Sequence, residues 1–227
     1  MIRMVVFDMA GTTIDEDNVV YKTLQRAINE KGYELSLDQV LAEGAGKEKR
    51  QAIKSILKAY AHSDDNELAD EIYRRFVVYL ANVYDHLDVR PQPGAVELFR
   101  ILKQKNIQVV LNTGYNRETA ELLISKLGWG KGIVFDSLIT SGDVENNRPD
   151  PDMIELAMEI SGIEKSHEVI KVGDSMIDIE EGQNAGCGLS IGITTGAHTY
   201  HQLQSASPDY IINNLLELIP IIEREDN

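Results

Sequence analysis

Positive charge, cysteine and long apolar runs are all scarce in this chain, and each scarcity closes off a class of function. Lys and Arg number 22 against 37 Asp and Glu, a formal net charge of -15. Such a surface argues against nucleic acid or an anionic membrane as the main partner. The one cysteine, Cys187, permits no internal disulfide and suits a reducing compartment. The first residues, MIRMVVFDMAG, carry a single Arg and a short apolar run that stops at Asp8, short of a signal sequence or a membrane span. A soluble cytoplasmic protein, with neither a nucleic-acid nor a membrane partner, is the expectation. Repeats and low-complexity tracts are absent, and the histidines at 62, 86, 167, 198 and 201 have no metal-ligand spacing. The acidic tail EREDN reads as a solvated terminus.

What the chain does have is core and pattern. Its 227 residues with 43% hydrophobic content suffice for one large domain or a core with a small accessory domain. Short apolar runs suited to buried parallel strands occur at MVVFDM, IQVVLNT, SLIT, VIKVGD and LSIGIT. Helical patterns such as GAVELFRILKQKN, RETAELLISKL and PDMIELAMEISG separate them. That alternation predicts an α/β fold, a doubly wound parallel sheet, with DYIINN and LLELIPII as a last strand and helix. Residues 15–90 break the alternation, with helical periodicity and no convincing strand, and RPQPG marks the return to the sheet. The predicted organisation is therefore a core of 1–14 and 91–227 with an all-helical insertion at 15–90.

Polar residues gather where the predicted strands end, which is where open α/β sheets bind ligands. Asp8 follows the first strand, Thr113 and Gly114 follow VVLN, Arg148 lies in NNRPDPD, and Asp174 and Asp178 follow IKVG. Asp174 and Asp178 are four apart, so a helix beginning at Ser175 brings the second back toward the first. Carboxylates with a backbone carbonyl make a hard oxygen site suited to Mg²⁺. Arg148, the Thr113 hydroxyl and the backbone N–H groups near Gly114 suit a phosphoryl group. Plainer readings exist for each: a turn or cap for Asp8, a helix cap for Thr113 and Asp178, a surface ion pair for Arg148, and packing for Cys187. One residue is conspicuously missing. A carboxylate two positions after Asp8 would be the natural proton carrier, and that position holds Ala10.

The motifs DMAGT, LNTG, RPDP and GDSMID, in that order, resemble those of the haloacid dehalogenase superfamily of aspartate-nucleophile phosphotransferases across essentially the whole chain. Ala10 in place of the superfamily's second aspartate, Arg148 in place of its usual lysine, and the segments TGYNRETAELL and KVGDSMIDIEEGQNAG resemble the phosphonoacetaldehyde hydrolases (phosphonatases) and phosphonatase-like hydrolases within it. The resemblance implies a Rossmann-like core with residues 15–90 as a mobile cap, Asp8 as nucleophile, and Mg²⁺ held by Asp8, the Ala10 carbonyl, Asp174 and Asp178. It implies a small phosphorylated or phosphonated substrate held by Thr113, Gly114 and Arg148, and leaves room for a homodimer. It also answers the puzzle of Ala10. A phosphatase aspartate protonates an alkoxide leaving group, whereas a carbon leaving group needs an electron sink, which phosphonatases make by forming an imine on a cap lysine.

Helical periodicity selects that lysine. In GKEKRQAIKSILKAY, Lys47, Gln51, Lys54 and Lys58 share a polar stripe, while Lys49 aligns with Ala52, Ile53, Ile56, Leu57 and Tyr60 on the apolar one. An amine against apolar surface is more often neutral, as imine formation requires. The family's glycine three residues before its lysine is matched by Gly46, but its histidine three residues after is Ala52 here. An ordinary boundary lysine remains the plainer reading of Lys49. Phosphonatase-like C–P hydrolysis is the favoured expectation. A phosphomonoesterase of the phosphoglycolate phosphatase or β-phosphoglucomutase type is the alternative, and a non-enzymatic phospho-accepting regulator a third reading, opposed by the long helical insertion and Arg148.

Overall fold

The computed structural model describes residues 1–84 and 86–225. Asp85, in one of the predicted helical patterns, and the last two residues of the acidic tail lie outside the described residues. The chain begins with β1 (Met4–Asp8) and a two-residue β2 (Ile14–Asp15), then runs through four helices: α1 (Val19–Asn29), α2 (Leu37–Gly44), α3 (Lys49–Ala61) and α4 (Asn66–Tyr84). A two-residue β3 (Arg90–Pro91) follows. The rest alternates: α5 (Ala95–Gln104), β4 (Gln108–Thr113), α6 (Arg117–Lys126), β5 (Ser137–Thr140), α7 (Asp152–Ser161), β6 (Val169–Gly173), α8 (Met176–Asn184), β7 (Leu189–Ile193), α9 (Tyr200–Ser205), β8 (Tyr210–Ile212) and α10 (Leu218–Glu225).

Six strands form one parallel sheet in the order β5-β4-β1-β6-β7-β8. β1 lies inside it, paired with β4 from Met4↔Gln108 to Asp8↔Asn112 and with β6 from Met4↔Val169 to Phe7↔Val172. A strand buried on both faces must be apolar on both, and β1 is. Val5 and Phe7 enter the larger cluster with Phe99 and Leu111, while Met4 and Val6 pack with Val110, Ile139, Met153 and Ile154 on the other side. Phe99 joins Phe7, at 5.2 Å between ring centroids, to the edge of Trp129 at 5.5 Å. The doubly wound sheet expected from the strand runs is therefore what the chain forms.

Two elements depart from the sequence reading. The stretch read as free of strands contributes its first and last residues to a small antiparallel ladder, Ile14↔Pro91 and Asp15↔Arg90, through which the chain leaves the sheet and returns. Two residues are too few to show a period. The second departure is α2, too short for a clear hydrophobic stripe but fixed at its start by a capping box, in which Ser36 and Gln39 each accept the other's backbone N–H.

Candidate active site

The carboxyl ends of β1, β4 and β6 converge, and the residues there are held by backbone geometry before any side chain is considered. After Asp8 the chain turns tightly: Thr13 and Ile14 donate their N–H groups to the Met9 carbonyl at 2.9 and 2.8 Å, and the Thr13 hydroxyl donates to the Asp8 carbonyl at 3.0 Å. Gly11 sits in this turn at φ +87°, where a Cβ would lie 2.3 Å from Asp174 Oδ2. From the other side a Cβ on Gly196 would lie 1.9 Å from the same atom. Only glycines let the two loops close on Asp174, which accepts the Ala197 N–H at 2.6 Å and the Thr12 hydroxyl at 3.4 Å.

Under these loops lies a buried web of charge. Arg148 donates to Asp8 Oδ1 at 2.8 Å through Nη1, to Asn112 Oδ1 at 2.6 Å through Nη2, and to Glu181 Oε2 at 3.0 Å through Nε. Its Nη1 also pairs with Asp178 Oδ1 at 3.0 Å. Lys171, pointing from β6, meets Asn112 Oδ1 at 2.7 Å, Asp178 Oδ1 at 2.9 Å and Glu181 Oε2 at 3.0 Å. Asp178 takes the Ser175 hydroxyl on its other oxygen. Burial alone would raise Asp178, but Arg148 and Lys171 hold it below the usual carboxylate range. Asp8 moves the other way, pushed up to about 6 by burial and the charge of Asp178 against the pull of Arg148 and Lys171. Asp174 is raised well above its ordinary value by burial, then by Asp8 and Asp178.

The structure brings Asp8, Arg148, Asp174 and Asp178 together, with Thr113 at the end of β4 and Ala10 and Gly114 on the adjoining loops. Asp178 is engaged by Arg148, Lys171 and the Ser175 hydroxyl, and among the described residues no group of three His, Cys, Asp or Glu is placed to hold a metal. Asp8, Asp174 and the Ala10 carbonyl are hard oxygen donors of the kind that could hold Mg²⁺. Charge supports that fit. Asp8, Asp174, Asp178 and Glu181 are buried, with Arg148 and Lys171 in contact with Asp8, Asp178 and Glu181, and Lys49 on the helical side. Burial first, and then the neighbouring carboxylates, raise Asp8 and Asp174, so a cation placed between them would favour their charged forms.

Lys49 approaches from the helical side. It is the first residue of α3 and 6% exposed. Its Nζ donates to the Lys47 carbonyl at 2.9 Å and lies 5.0 and 4.8 Å from the ring centroids of Tyr21 and Tyr115. Burial lowers it to about 8, against the opposing charges of Glu48 and Asp8. Lys54 and Lys58 are exposed, and Lys47 turns to Ser55 Oγ at 3.1 Å. Tyr60, expected on the same stripe as Lys49, is exposed in the last turn of α3. A cavity of about 340 Å³ opens beside Lys49, walled by Gly114, Tyr115, Phe76, Leu80 and Tyr84. The loop before α3 lies directly on the sheet: a Cβ on Gly114 would be 2.8 Å from the Lys47 carbonyl, and one on Gly46 would be 2.4 Å from Ile177 Cγ2.

Sequence reasoning missed Lys171, Glu181 and Asn112. A signal for the first was present: a lysine inside an apolar strand such as VIKVG has nowhere to go but the core and needs buried partners there. Glu181 and Asn112 carried none, because each becomes a partner only through the fold.

With this geometry in place, relatives are informative. The profile of the haloacid dehalogenase-like hydrolases matches residues 5–191. The phosphonoacetaldehyde hydrolase of Parabacteroides distasonis is 31% identical over 210 residues, covering 86% of this chain and 76% of its own. Pyrophosphatase PpaX of Bacillus cereus is 28% identical over 97% of this chain and 96% of its own. The crystal structure of a phosphonoacetaldehyde hydrolase-like protein from Oleispira antarctica superposes with a TM-score of 0.83 at 23% identity, covering 98% of this chain and 92% of that one. That likeness speaks for the fold, while the profile and the sequence relatives agree on the lineage: the chain belongs to the haloacid dehalogenase-like hydrolases.

Proposed function

We propose that the protein is a Mg²⁺-dependent hydrolase that cleaves the C–P bond of a small aldehyde-bearing phosphonate, with Asp8 as nucleophile and Lys49 as imine former. The observation that carries this reading is Lys49 itself, an amine buried between two tyrosine rings in a chain that has Ala10 where a phosphatase would need its acid. In this account residues 1–14 and 91–227 act as core and residues 15–90 as a cap that excludes water from the site. The single thiol suits a cytoplasmic setting.

The Lys49 amine adds to the substrate carbonyl, and loss of water leaves an iminium. Asp8 attacks phosphorus in line; the C–P electron pair moves onto the carbon and into the iminium, giving an enamine and an aspartyl phosphate. Arg148, hydrogen-bonded to Asp8 Oδ1, aims the carboxylate and lends charge to the phosphoryl oxygens. The Thr113 oxygen accepts the Tyr115 N–H at 3.2 Å, which leaves its hydroxyl hydrogen for the phosphoryl group beside the Gly114 N–H. When bound by Asp8, the Ala10 carbonyl and Asp174, Mg²⁺ supplies neutralising charge for that group. A proton taken up by the enamine carbon restores the iminium, and water then releases the aldehyde from Lys49 and phosphate from Asp8.

Borohydride with phosphonoacetaldehyde tests this reading. A covalent adduct on Lys49 is expected, and Lys49→Arg loses both adduct and turnover, since a guanidinium keeps the charge but forms no imine under these conditions. A second reading, P–O cleavage of a phosphomonoester or pyrophosphate, is favoured by Ala52, which removes the family's histidine, and by the pyrophosphatase relative. It predicts turnover of such substrates that Lys49→Arg leaves intact.

A further inference from the structure

The cavity beside Lys49 is larger than a two-carbon aldehyde needs. With phosphorus at Asp8 and the carbonyl carbon at Lys49, phosphonoacetaldehyde presents a single hydrogen beyond that carbon. The cavity begins at this point. Lys49 and Gly114 stand in its wall, Asp8, Arg148 and Asp174 do not, and about 340 Å³ extends from there between α4 and α6. A cavity of about 150 Å³ lined by aliphatic and aromatic side chains already holds a benzene ring. Here the wall is of that kind. Phe76, Leu80 and Tyr84 lie four apart on one face of α4, and Tyr115 after β4 and Leu122 in α6 stand in the same lining. Phe76, Leu80, Tyr84 and Tyr115 are all buried, so a group that reaches them leaves bulk water. Apart from Lys49, the charged residues of the lining are Glu48 and Glu118, which oppose an anionic group there.

We infer that this cavity receives an aromatic group on the far side of the substrate carbonyl, so that the enzyme also hydrolyses ketone phosphonates, R–CO–CH₂–PO₃²⁻, in which R carries an aromatic ring. The inference rests on Lys49 forming an imine and extends that chemistry from aldehydes to ketones. The Lys49 amine adds to the ketone carbon, and loss of water leaves an iminium. Asp8 takes the phosphoryl group; the C–P electron pair closes the enamine C=C bond while the C=N pair returns to nitrogen. A proton from water on the former CH₂ carbon restores the iminium. Hydrolysis of the iminium and of the aspartyl phosphate then gives R–CO–CH₃ and phosphate, with one water consumed in sum. Burial of the ring against aromatic and aliphatic walls supplies binding that an aldehyde has no group to use.

Two ketones that differ by one phenyl group test it, 2-oxopropylphosphonate and 2-oxo-3-phenylpropylphosphonate, compared by kcat/KM from phosphate release. The phenyl compound should be preferred on the order of tenfold or more. Leu80→Trp puts an indole into the cavity and should remove most of that preference. Borohydride with either ketone should leave an adduct on Lys49, located by peptide mass. Equal turnover of the two ketones, turnover of neither, or a preference that Leu80→Trp leaves unchanged overturns the inference. An adduct on Lys49 with phosphonoacetaldehyde in that case leaves the imine reading standing. No adduct on Lys49 with the ketones or with phosphonoacetaldehyde overturns both. Should Leu80→Trp fail to fold, Ala81→Trp, at an exposed position in the same lining, takes its place in the comparison.

Discussion

At the scale of single residues, the site is built from side chains held in states that water would not allow. Asp8→Asn should abolish turnover of every substrate while leaving the fold intact, because the amide is nearly isosteric but a far poorer nucleophile. More than a few percent residual activity, with deamidation excluded by mass, would end the aspartyl-phosphate mechanism. Lys49 makes a different prediction. Its folded value is drawn from 10.5 to about 8, so the folded protein binds this proton less readily than the unfolded chain. The resulting cost, about 3 kcal/mol, is present in full below pH 8 and fades as pH rises from about 8 to 10.5. Lys49→Met should therefore raise the melting temperature by several degrees at pH 7, with the gain shrinking toward pH 10, while imine trapping is lost. Thermal melts across that range check it. Lys49 was legible in the sequence because a lysine on an apolar helical stripe is anomalous. Glu181 was not, since it becomes a partner of Arg148 and Lys171 only through the fold.

At the scale of elements, the contact between the loop before α3 and the sheet depends on two glycines that face each other. Gly46 at φ +72° leaves no room between itself, Ile177 and Ser175, and Gly114 leaves none below the Gly46 and Lys47 carbonyls. A methyl at either must displace the loop that carries Lys49. Gly46→Ala and Gly114→Ala should each cut turnover tenfold or more, since a misplacement of about 1 Å is costly to catalysis. Because both displace the same loop, the double variant should fall well short of the product of the two effects. Equal, independent losses in a steady-state comparison would show that the two glycines act separately. The main strands and the long helices were readable from apolar runs and 3.6-residue periodicity, and the site followed because strand ends in such sheets converge. The β2·β3 ladder and α2 were not, since short elements are specified by partners and caps rather than by pattern.

At the scale of the whole molecule, a net charge of -15 is mirrored in miniature by the excess of carboxylates in the site. Asp8 holds its proton more tightly folded than unfolded, with a value raised from 3.8 to about 6. Without a cation, this group's contribution to stability falls as pH rises through that window. Mg²⁺ should reverse the trend, raising the melting temperature at pH 7 and much less below pH 6, where protons compete for Asp8. Asp174→Asn should weaken this shift several-fold; an unchanged Mg²⁺ titration would mean the ligand set is wrong. The placement of aromatic residues has an optical consequence. The lone Trp129 lies edge-on to Phe99 beside the sheet, whereas Tyr21, Tyr33, Tyr60, Tyr73, Tyr79 and Tyr84, six of the nine tyrosines, lie between β2 and β3. Light absorbed at the red edge is emitted from the sheet side alone, and tyrosine emission comes mostly from the helices above it. If the proposed cap parts from the sheet, tyrosine emission should change while the tryptophan signal holds steady, which would give a two-colour readout of that movement without a dye.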